Sequence, residues 1–598
     1  MPHPPHLPSP QDRITWPRLL AYGSGGIIPI ALFNIAGQLM GLIGNIGLGL
    51  SAFWLGVIMI IPRLWDAVSD PLMGHISDNT RSRFGRRRPF LLLGGIAVAL
   101  SFVLMWWIPE GELVQRWFST EASYKWFQLA YILLWLLIFF TACTVFEIPH
   151  GALGMEMSND THERTRLFSA KSFLGNLFAM GTPWLFFLAN LDIFKGPGGN
   201  EADGMRWVSM MIAAILIPLV LWWFFACKEP GFTATKAQPK SRFWHDIRIT
   251  FKNRTFLILV AIFFILGMGF NFVGLLNYYI SIFYLFGGDK VAAGPLLGIN
   301  GTIWAVTGLL AVFPLNWLGK RFGKRKTLAF AILLMCGAQL SKIVCYNPEM
   351  PYLVVIPTVL LSAGMLMFFT LGPSMLGDIC DEDELNTGTR SEGSYYSIYW
   401  WFFKMGTAFA SFVTGSLIIF SQFDEKQGTS VDAVSSSLTV LQSEIKEWEI
   451  NSAPFIIEAH NEVIESKLEV TLEALDALRI HFAERMEMKP ETAEHLRAVV
   501  ADLDILRTKV YELKAESRHY AGKPMALLDS ELNTRRLDTL KLAQQSPDTL
   551  LLLRIIEISL PLILSIFSLS LTFFYPLSEA RCYEIKAELE ARRVSSTI

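Results

Sequence analysis

The sequence predicts an all-α integral membrane protein. Twelve transmembrane helices form two pseudo-symmetric six-helix bundles, with a helical extracytoplasmic insertion between helices eleven and twelve. Three observations predict this. The 598 residues are 52% hydrophobic and only 17% charged, too apolar for an ordinary soluble enzyme. Twelve stretches approach the ~20 apolar residues that a bilayer crossing needs. Basic residues crowd every second loop, the asymmetry that orients membrane helices. A net charge of −2 gives no footprint for nucleic acid.

Residues 1–16 are polar and Pro-rich, lack the layout of a signal peptide, and read as a cytoplasmic tail. The spans fall near 18–48, 51–78, 89–108, 126–154, 167–194 and 206–226, then 255–285, 293–318, 326–346, 352–378, 392–420 and 553–576. They divide the chain into an N-terminal bundle (17–226), a cytoplasmic central loop (227–254) and a C-terminal bundle (255–420 with 553–576). An extracytoplasmic insertion (421–552) and a cytoplasmic tail (577–598) complete it. Gly and Pro within spans are tolerated in a bundle, where neighbouring helices satisfy the freed backbone groups.

Arg81, Arg83, Arg86, Arg87 and Arg88 follow span two, and Arg164 and Arg166 follow span four. Seven basic residues from Lys228 to Arg254 follow span six, and five from Lys320 to Lys326 follow span eight. The even loops are therefore expected on the cytoplasmic side, with both termini, in a multi-pass protein of the cell membrane. The turn Arg83-Phe-Gly-Arg-Arg-Arg88 returns as Arg321-Phe-Gly-Lys-Arg-Lys326, six spans later. That repetition implies two duplicated halves with a site between them near the midplane.

The 421–552 segment is polar with helical periodicity and reads as a hairpin or bundle capping the outer face; its partner, if it has one, is not legible. Lys489-Pro-Glu-Thr is placed to start one of its helices, because Pro suits a first turn. The six cysteines are scattered without a CxxC and read as packing residues.

Asp66 and Asp70 lie inside span two, four residues apart and so on one helix face. A carboxylate in a bilayer costs roughly 3 kcal/mol or more, which makes it a functional candidate. Two this close cannot both stay bare in a low dielectric: one holds a proton, or a cation sits between them. Na⁺ as a hard cation wants oxygen ligands, so the candidate metal set is Asp66, Asp70 and Glu147, with the Thr144 hydroxyl one turn before Glu147 in span four. Arg63, three residues before Asp66, partly neutralises it; Lys404 in span eleven is placed to balance the acids from the other half, and Lys171 is a further cavity candidate. The plain alternative is helix-locking ion pairs, as for Arg554 and Glu557 in span twelve. His150 reads as a cavity-lining residue, since no second His or Cys accompanies it at ligand spacing. After span ten, Asp378, Asp381 and Arg390 form a charged loop, with Asp378 and Asp381 positioned to meet the basic turn 83–88, including Arg83 and Arg87, as a cytoplasmic gate.

These motifs resemble the major facilitator superfamily, and within it the glycoside–pentoside–hexuronide:cation symporters typified by melibiose permease. Arg63-Leu-Trp-Asp66-Ala-Val-Ser-Asp70-Pro is similar to that family's helix-two signature; Thr144 with Glu147, Lys404, and the Asp378–Arg390 loop are similar to its other motifs. The resemblance implies alternating access, cation binding at Asp66, Asp70, Thr144 and Glu147, and coupling through Lys404. Two positions depart: the sugar-holding aspartate of helix one falls at Ile30, and the sugar-stacking tryptophan of helix four at Gly151. The expected activity is Na⁺- or H⁺-coupled symport of a glycoside within the lipid bilayer, with no cofactor beyond the coupling ion. The alternatives are symport of a lysolipid or other amphiphile, or a receptor or assembly role through 421–552. No GxxxxGK[ST], HExxH or GxSxG motif stands in a context that suggests an enzyme.

Overall fold

The computed structural model describes residues 13–32, 52–158, 160–189, 191–195, 201–229, 250–388, 391–451, 461–488, 493–515 and 525–595, with a few isolated positions between 35 and 50 and at 248. The described residues are almost wholly helical. Seven stretches among them are long and apolar enough to cross a membrane. Most of the central loop, 230–247, and the 489–492 segment lie outside the described residues.

The N-terminal half contains α1 (Trp16–Ser24), which continues through a π-helical turn at Ile27–Leu32, α2 (Ala52–Asn79) and α3 (Arg88–Trp106). It continues with α4 (Glu121–Glu156), α5 (Thr161–Ala179), α6 (Thr182–Ala189) and α7 (Glu201–Ala226). Span five of the sequence is thus two helices in line. The C-terminal half contains α8 (Arg254–Tyr279), α9 (Lys290–Leu310), α10 (Val312–Cys345), α11 (Val355–Thr387) and α12 (Glu392–Phe420). After the insertion comes its last crossing, α17 (Pro547–Phe574), with α13 to α16 between. Within the halves, α3 packs on α4 and α7, while α8 packs on α12 and α17 and α10 on α11. The seam between halves is built by α2, α4 and α5 against α9, α10, α11 and α12.

The repeated basic turn is repeated in three dimensions. Gly85 has φ +115° and Gly323 φ +78°, a backbone region that penalises side chains. Each glycine also lies under a carboxylate from just beyond the last helix of its half. A Cβ on Gly85 would stand 2.5 Å from Glu229 Oε1, and one on Gly323 2.7 Å from Glu579 Oε2. The Glu229 carboxylate accepts from the backbone N–H of Arg86 (2.9 Å) and Arg87 (2.8 Å), satisfying donors at the start of α3. Arg88 bonds Phe224 O at the end of α7, and Arg325 bonds Phe573 O at the end of α17. In α10 the non-helical Gly323 separates two crossings within one assigned helix.

The insertion is a four-helix bundle: α13 (Glu425–Asn451), α14 (Asn461–Met488), α15 (Ala493–Ala515) and α16 (Met525–Leu542), each against its neighbours in a closed ring. Its apolar residues recur at helical spacing: Val434, Leu438, Leu441 and Ile445 on α13, and Leu475, Leu478 and Phe482 on α14. They make a core separate from that of the membrane helices. At its base the buried Asp424 accepts from Gln427 N and meets His481 (2.9 Å) and Arg485. The tail after α17 is not merely a tail: α18 (Glu579–Ser595) folds back on α10 and α11 at the basic-loop face. All six cysteines are free and buried.

Glu557 pairs with Lys342 of α10 rather than with Arg554, which bonds Tyr284 and Ile343 O. Both members of the Lys342–Glu557 pair are buried. Glu557→Ala leaves a buried ammonium alone and is expected to cost about 3–5 kcal/mol. The double variant Lys342→Met/Glu557→Leu should recover most of this. Thermal unfolding of the purified protein in detergent measures both, and equal melting of the single variant and the native chain would contradict the assignment.

Candidate functional site

The seam carries its charges at three levels along α12. At the basic face, α12 begins at Glu392, where its first N–H groups need acceptors. Asp78, at the end of α2 in the other half, supplies them. Its carboxylate accepts from Gly393 N (3.0 Å), Ser394 N (2.8 Å) and Ser394 Oγ (2.9 Å). Arg87 pairs with Asp78 and, through Nε, with Glu156 Oε1 (2.8 Å). Arg86 bridges Glu156 (3.0 Å) and Glu392 (2.7 Å). These groups are all buried. Burial alone would lower the Arg87 guanidinium, but Glu156, Asp78 and Glu392 outweigh it and hold the group above its ordinary value. Beside this cluster Arg164 of α5 grips Asp381 through two nitrogens (2.6 and 3.1 Å), while Lys324 bonds Asp378 (2.6 Å). The face is shut by charge-assisted bonds between halves.

This geometry corrects the gate expected from sequence. Asp378 and Asp381 meet Arg164 and Lys324, not the turn 83–88. Within that turn Arg87 is in the network, but Arg83 is exposed, over the Phe84 ring (4.6 Å), and Arg86 holds the place assigned to it. Arg390 lies outside the described residues. Asp78, Glu156 and Glu392 were not anticipated. Asp78 and Glu156 end α2 and α4, where acids are unremarkable, and nothing local announces that they cap or bridge the opposite half.

One turn along α12, Tyr396 is fully buried and reaches into the N-terminal half. Its hydroxyl donates to Glu147 Oε1 (2.7 Å) and accepts from Lys171 Nζ (3.2 Å). Lys171 itself donates to the same Glu147 oxygen (2.7 Å). Glu147 Oε2 has no hydrogen-bond partner among the described residues. The Tyr396 ring lies against Gly151; a Cβ there would stand 2.0 Å from Tyr396 Cζ. The position where a helix-four tryptophan was sought is therefore filled by a ring from the other half. His150 stacks on Tyr22 (centroids 4.4 Å apart) and bonds Tyr22 O through Nε2 (3.0 Å). It lines the site as a packed ring.

A further two turns along, Lys404 Nζ donates to Asp66 Oδ2 (2.8 Å) and Asp70 Oδ2 (2.7 Å). Thr144 Oγ1 donates to the other Asp70 oxygen (2.9 Å). Both aspartates are 1% exposed, and the Lys404 side chain is 26% exposed. Arg63 is on α2, but its side chain lies outside the described residues. The expected three-carboxylate set is not assembled: no group of three or more His, Cys, Asp or Glu stands at metal spacing among the described residues. Glu147 bonds Lys171 and Tyr396, leaving two carboxylates and a hydroxyl. The single acidic site read from sequence is two neighbouring ones, each closed by a lysine. Sequence spacing gives the faces of α2 and α4 but not which lysine each acid meets.

A family model described as MFS/sugar transport protein matches residues 44–445. The chain is 28% identical over 371 residues to the uncharacterized symporter YnaJ of Bacillus subtilis, covering 62% of this chain and 75% of that one. It is 24% identical to the isoprimeverose transporter of Lactiplantibacillus pentosus, covering 65% and 77% respectively. With the sodium-dependent lysophosphatidylcholine symporter 1-A of Danio rerio it shares 25% identity over 73% of this chain and 84% of that one.

The helix α18 brings one more cation to the closed face. Glu579 meets His162 (3.2 Å) and Arg592 bonds Leu385 O. The buried Lys586 Nζ has no hydrogen-bond partner among the described residues. Burial and then Arg164 push it down to about 8, against the opposing pull of Asp381 and Asp378, while Lys324 pushes the same way as Arg164. The unfolded chain keeps that proton up to the ordinary 10.5, so stability rises with pH between about 8 and 10.5. Lys586→Met is expected to stabilise the protein at pH 7 by on the order of 1–3 kcal/mol and to flatten that rise. Melting curves across the pH range measure it, and an unchanged pH profile would count against the buried charge.

Proposed function

Since the chain belongs to the MFS/sugar transport protein family, we propose that it is a secondary active symporter. It couples Na⁺ or H⁺ to the movement of a small solute, a glycoside, by alternating access across the cell membrane. The basic-loop face is cytoplasmic, as are both termini. The observation that carries this reading is the pair of buried acids bridged from the other half: Lys404 between Asp66 and Asp70, with Thr144 on Asp70.

Two anions and a hydroxyl suit a small hard cation. The ammonium of Lys404 already neutralises both acids, so an entering ion must displace it. Displacement frees the α12 lysine from α2, and so changes how the halves hold each other. A cation acts on transport only through such a difference between states. The solute is held beside this site by Glu147 and Lys171, whose charged groups bond the hydroxyls of a sugar in pairs. His150 and Tyr22 are stacked on one another, and His150 Nδ1 and Tyr22 Oη have no partner among the described residues.

A second reading has a specific support: a relative named for lysophosphatidylcholine matches a larger share of this chain than the isoprimeverose transporter does. Ile30 and the filled notch at Gly151 also remove two contacts typical of melibiose-like carriers. Glycoside symport is retained because Glu147 and Lys171 form a charged, hydrogen-bonding pair suited to sugar hydroxyls.

The test is uptake into proteoliposomes under a Na⁺ or H⁺ gradient, with a panel of glycosides and lysolipids. The native chain accumulates a glycoside, and Asp70→Asn, which keeps the shape and removes the charge, abolishes the gradient dependence. Accumulation of lysolipids alone transfers the reading to the amphiphile carrier; undiminished gradient-driven uptake by Asp70→Asn refutes the cation site.

A further inference from the structure

Resting on the symport reading, we infer that Tyr396 is the positioning residue that senses whether solute is bound. Its phenol holds the place of a solute hydroxyl on Glu147, and it keeps the cytoplasmic half of the seam shut until that hydroxyl arrives.

Four observations carry this. Tyr396 belongs to the C-terminal half, while its hydroxyl bonds two charged groups of the N-terminal half, Glu147 on α4 and Lys171 on α5. The hydroxyl both donates to a carboxylate and accepts from an ammonium, the same pair of bonds that a sugar hydroxyl makes. The ring is seated on Gly151, where even a methyl group would overlap it. Finally, Tyr396 stands on α12 one turn from the capped Gly393 and Ser394 and two turns from Lys404. It lies between the cytoplasmic charge network and the acidic pair, on the helix that links both.

A symporter must not let the cation cross alone. Once an ion displaces Lys404, one of the ties of α12 to the N-terminal half is lost, and the tie through Tyr396 remains. Solute removes that second tie by presenting its own hydroxyl to Glu147. The seam on the cytoplasmic side is then held only by the buried network at Asp78 and Arg164. Ion plus solute therefore opens the inner face, and ion alone does not. The solute class follows: a molecule whose hydroxyl donates to a carboxylate at Glu147.

The test needs no knowledge of the solute. Proteoliposomes holding the full chain are loaded with ²²Na⁺ or with a pH-sensitive dye, and cation leak is followed with no solute present. A hydrogen bond to a charged group is worth about a tenfold or greater change in an equilibrium, so Tyr396→Phe should raise the leak about tenfold. Gly151→Ala, which unseats the ring and keeps the phenol, should do the same. Thermal protection by the cation is measured in parallel and is expected to match the native chain, because Asp66, Asp70 and Thr144 are untouched.

Raised leak with cation protection kept supports the inference. Native-level leak in folded Tyr396→Phe overturns it, as does raised leak with protection lost, which would make the hydroxyl a part of the cation site. If Tyr396→Phe does not assemble, Gly151→Ala decides by the same reading. A native chain that neither Na⁺ nor H⁺ protects overturns the symport reading itself, and the inference with it; protection without added leak overturns the inference alone.

Discussion

The ammonium of Lys404 between Asp66 and Asp70 is the interaction on which the rest of the structure turns. A lone carboxylate in the membrane interior is costly, and two on one helix face are more so. The lysine makes them tolerable. It comes from the other half of the molecule, so the charge balance of α2 depends on α12 being in place. Burying charge this way adds little net stability compared with a well-packed apolar seam. On the proposed reading, its effect is to make the seam sensitive to one small ion.

That sensitivity spreads because α12 is a single helix touching the N-terminal half at every level. Its N-terminal N–H groups rest on Asp78, Tyr396 rests on Glu147 and Lys171, and Lys404 rests on the aspartates. A change at one level alters the strain that the others bear. The basic face adds Arg164 with Asp381 and the returning helix α18, which contacts His162 through Glu579. Arg164 and Asp381 are buried, whereas Glu579 and His162 are partly open to water, where such a pair is individually weak. Among the described residues, none of the seam contacts named above involves the four-helix insertion. It joins the C-terminal half at both ends, next to Asp424 and α17, and carries its own core.

The architecture was legible in the sequence for a physical reason. Lipid demands long apolar helices, and loop charge and the repeated Arg-Phe-Gly turn mark their order. Spacing also showed that Asp66 and Asp70 share a face and that Thr144 lies a turn from Glu147. It did not show which cation meets which acid, because that depends on how α5 and α12 approach from different halves. Spacing places Glu147 near Asp66 and Asp70, and Asp378 and Asp381 near the turn at 83–88, whereas Glu147 bonds Lys171 and Tyr396 and Asp378 and Asp381 meet Lys324 and Arg164; Asp78 and Glu156 carry no local signal, and Glu392 shows only as the end of an acidic run. Tyr396 gave no signal at all: an aromatic in an apolar span looks like packing, and the glycine opposite it looks like any small residue in a membrane helix. The helix α18 was taken for a tail because its charged surface resembles a solvated one, while its buried face of Cys582, Ile585 and Leu589 is short.

In the proposed mechanism a cation and Lys404 compete for the same two carboxylates. Calorimetric titration of Na⁺, and of H⁺ by pH jump, into purified Lys404→Met tests it most directly. Without the ammonium, the acids are free to take the ion, so the variant should bind the coupling cation more tightly than the native chain. Loss of cation binding in Lys404→Met would contradict the claim, since the lysine would then be building the site rather than filling it.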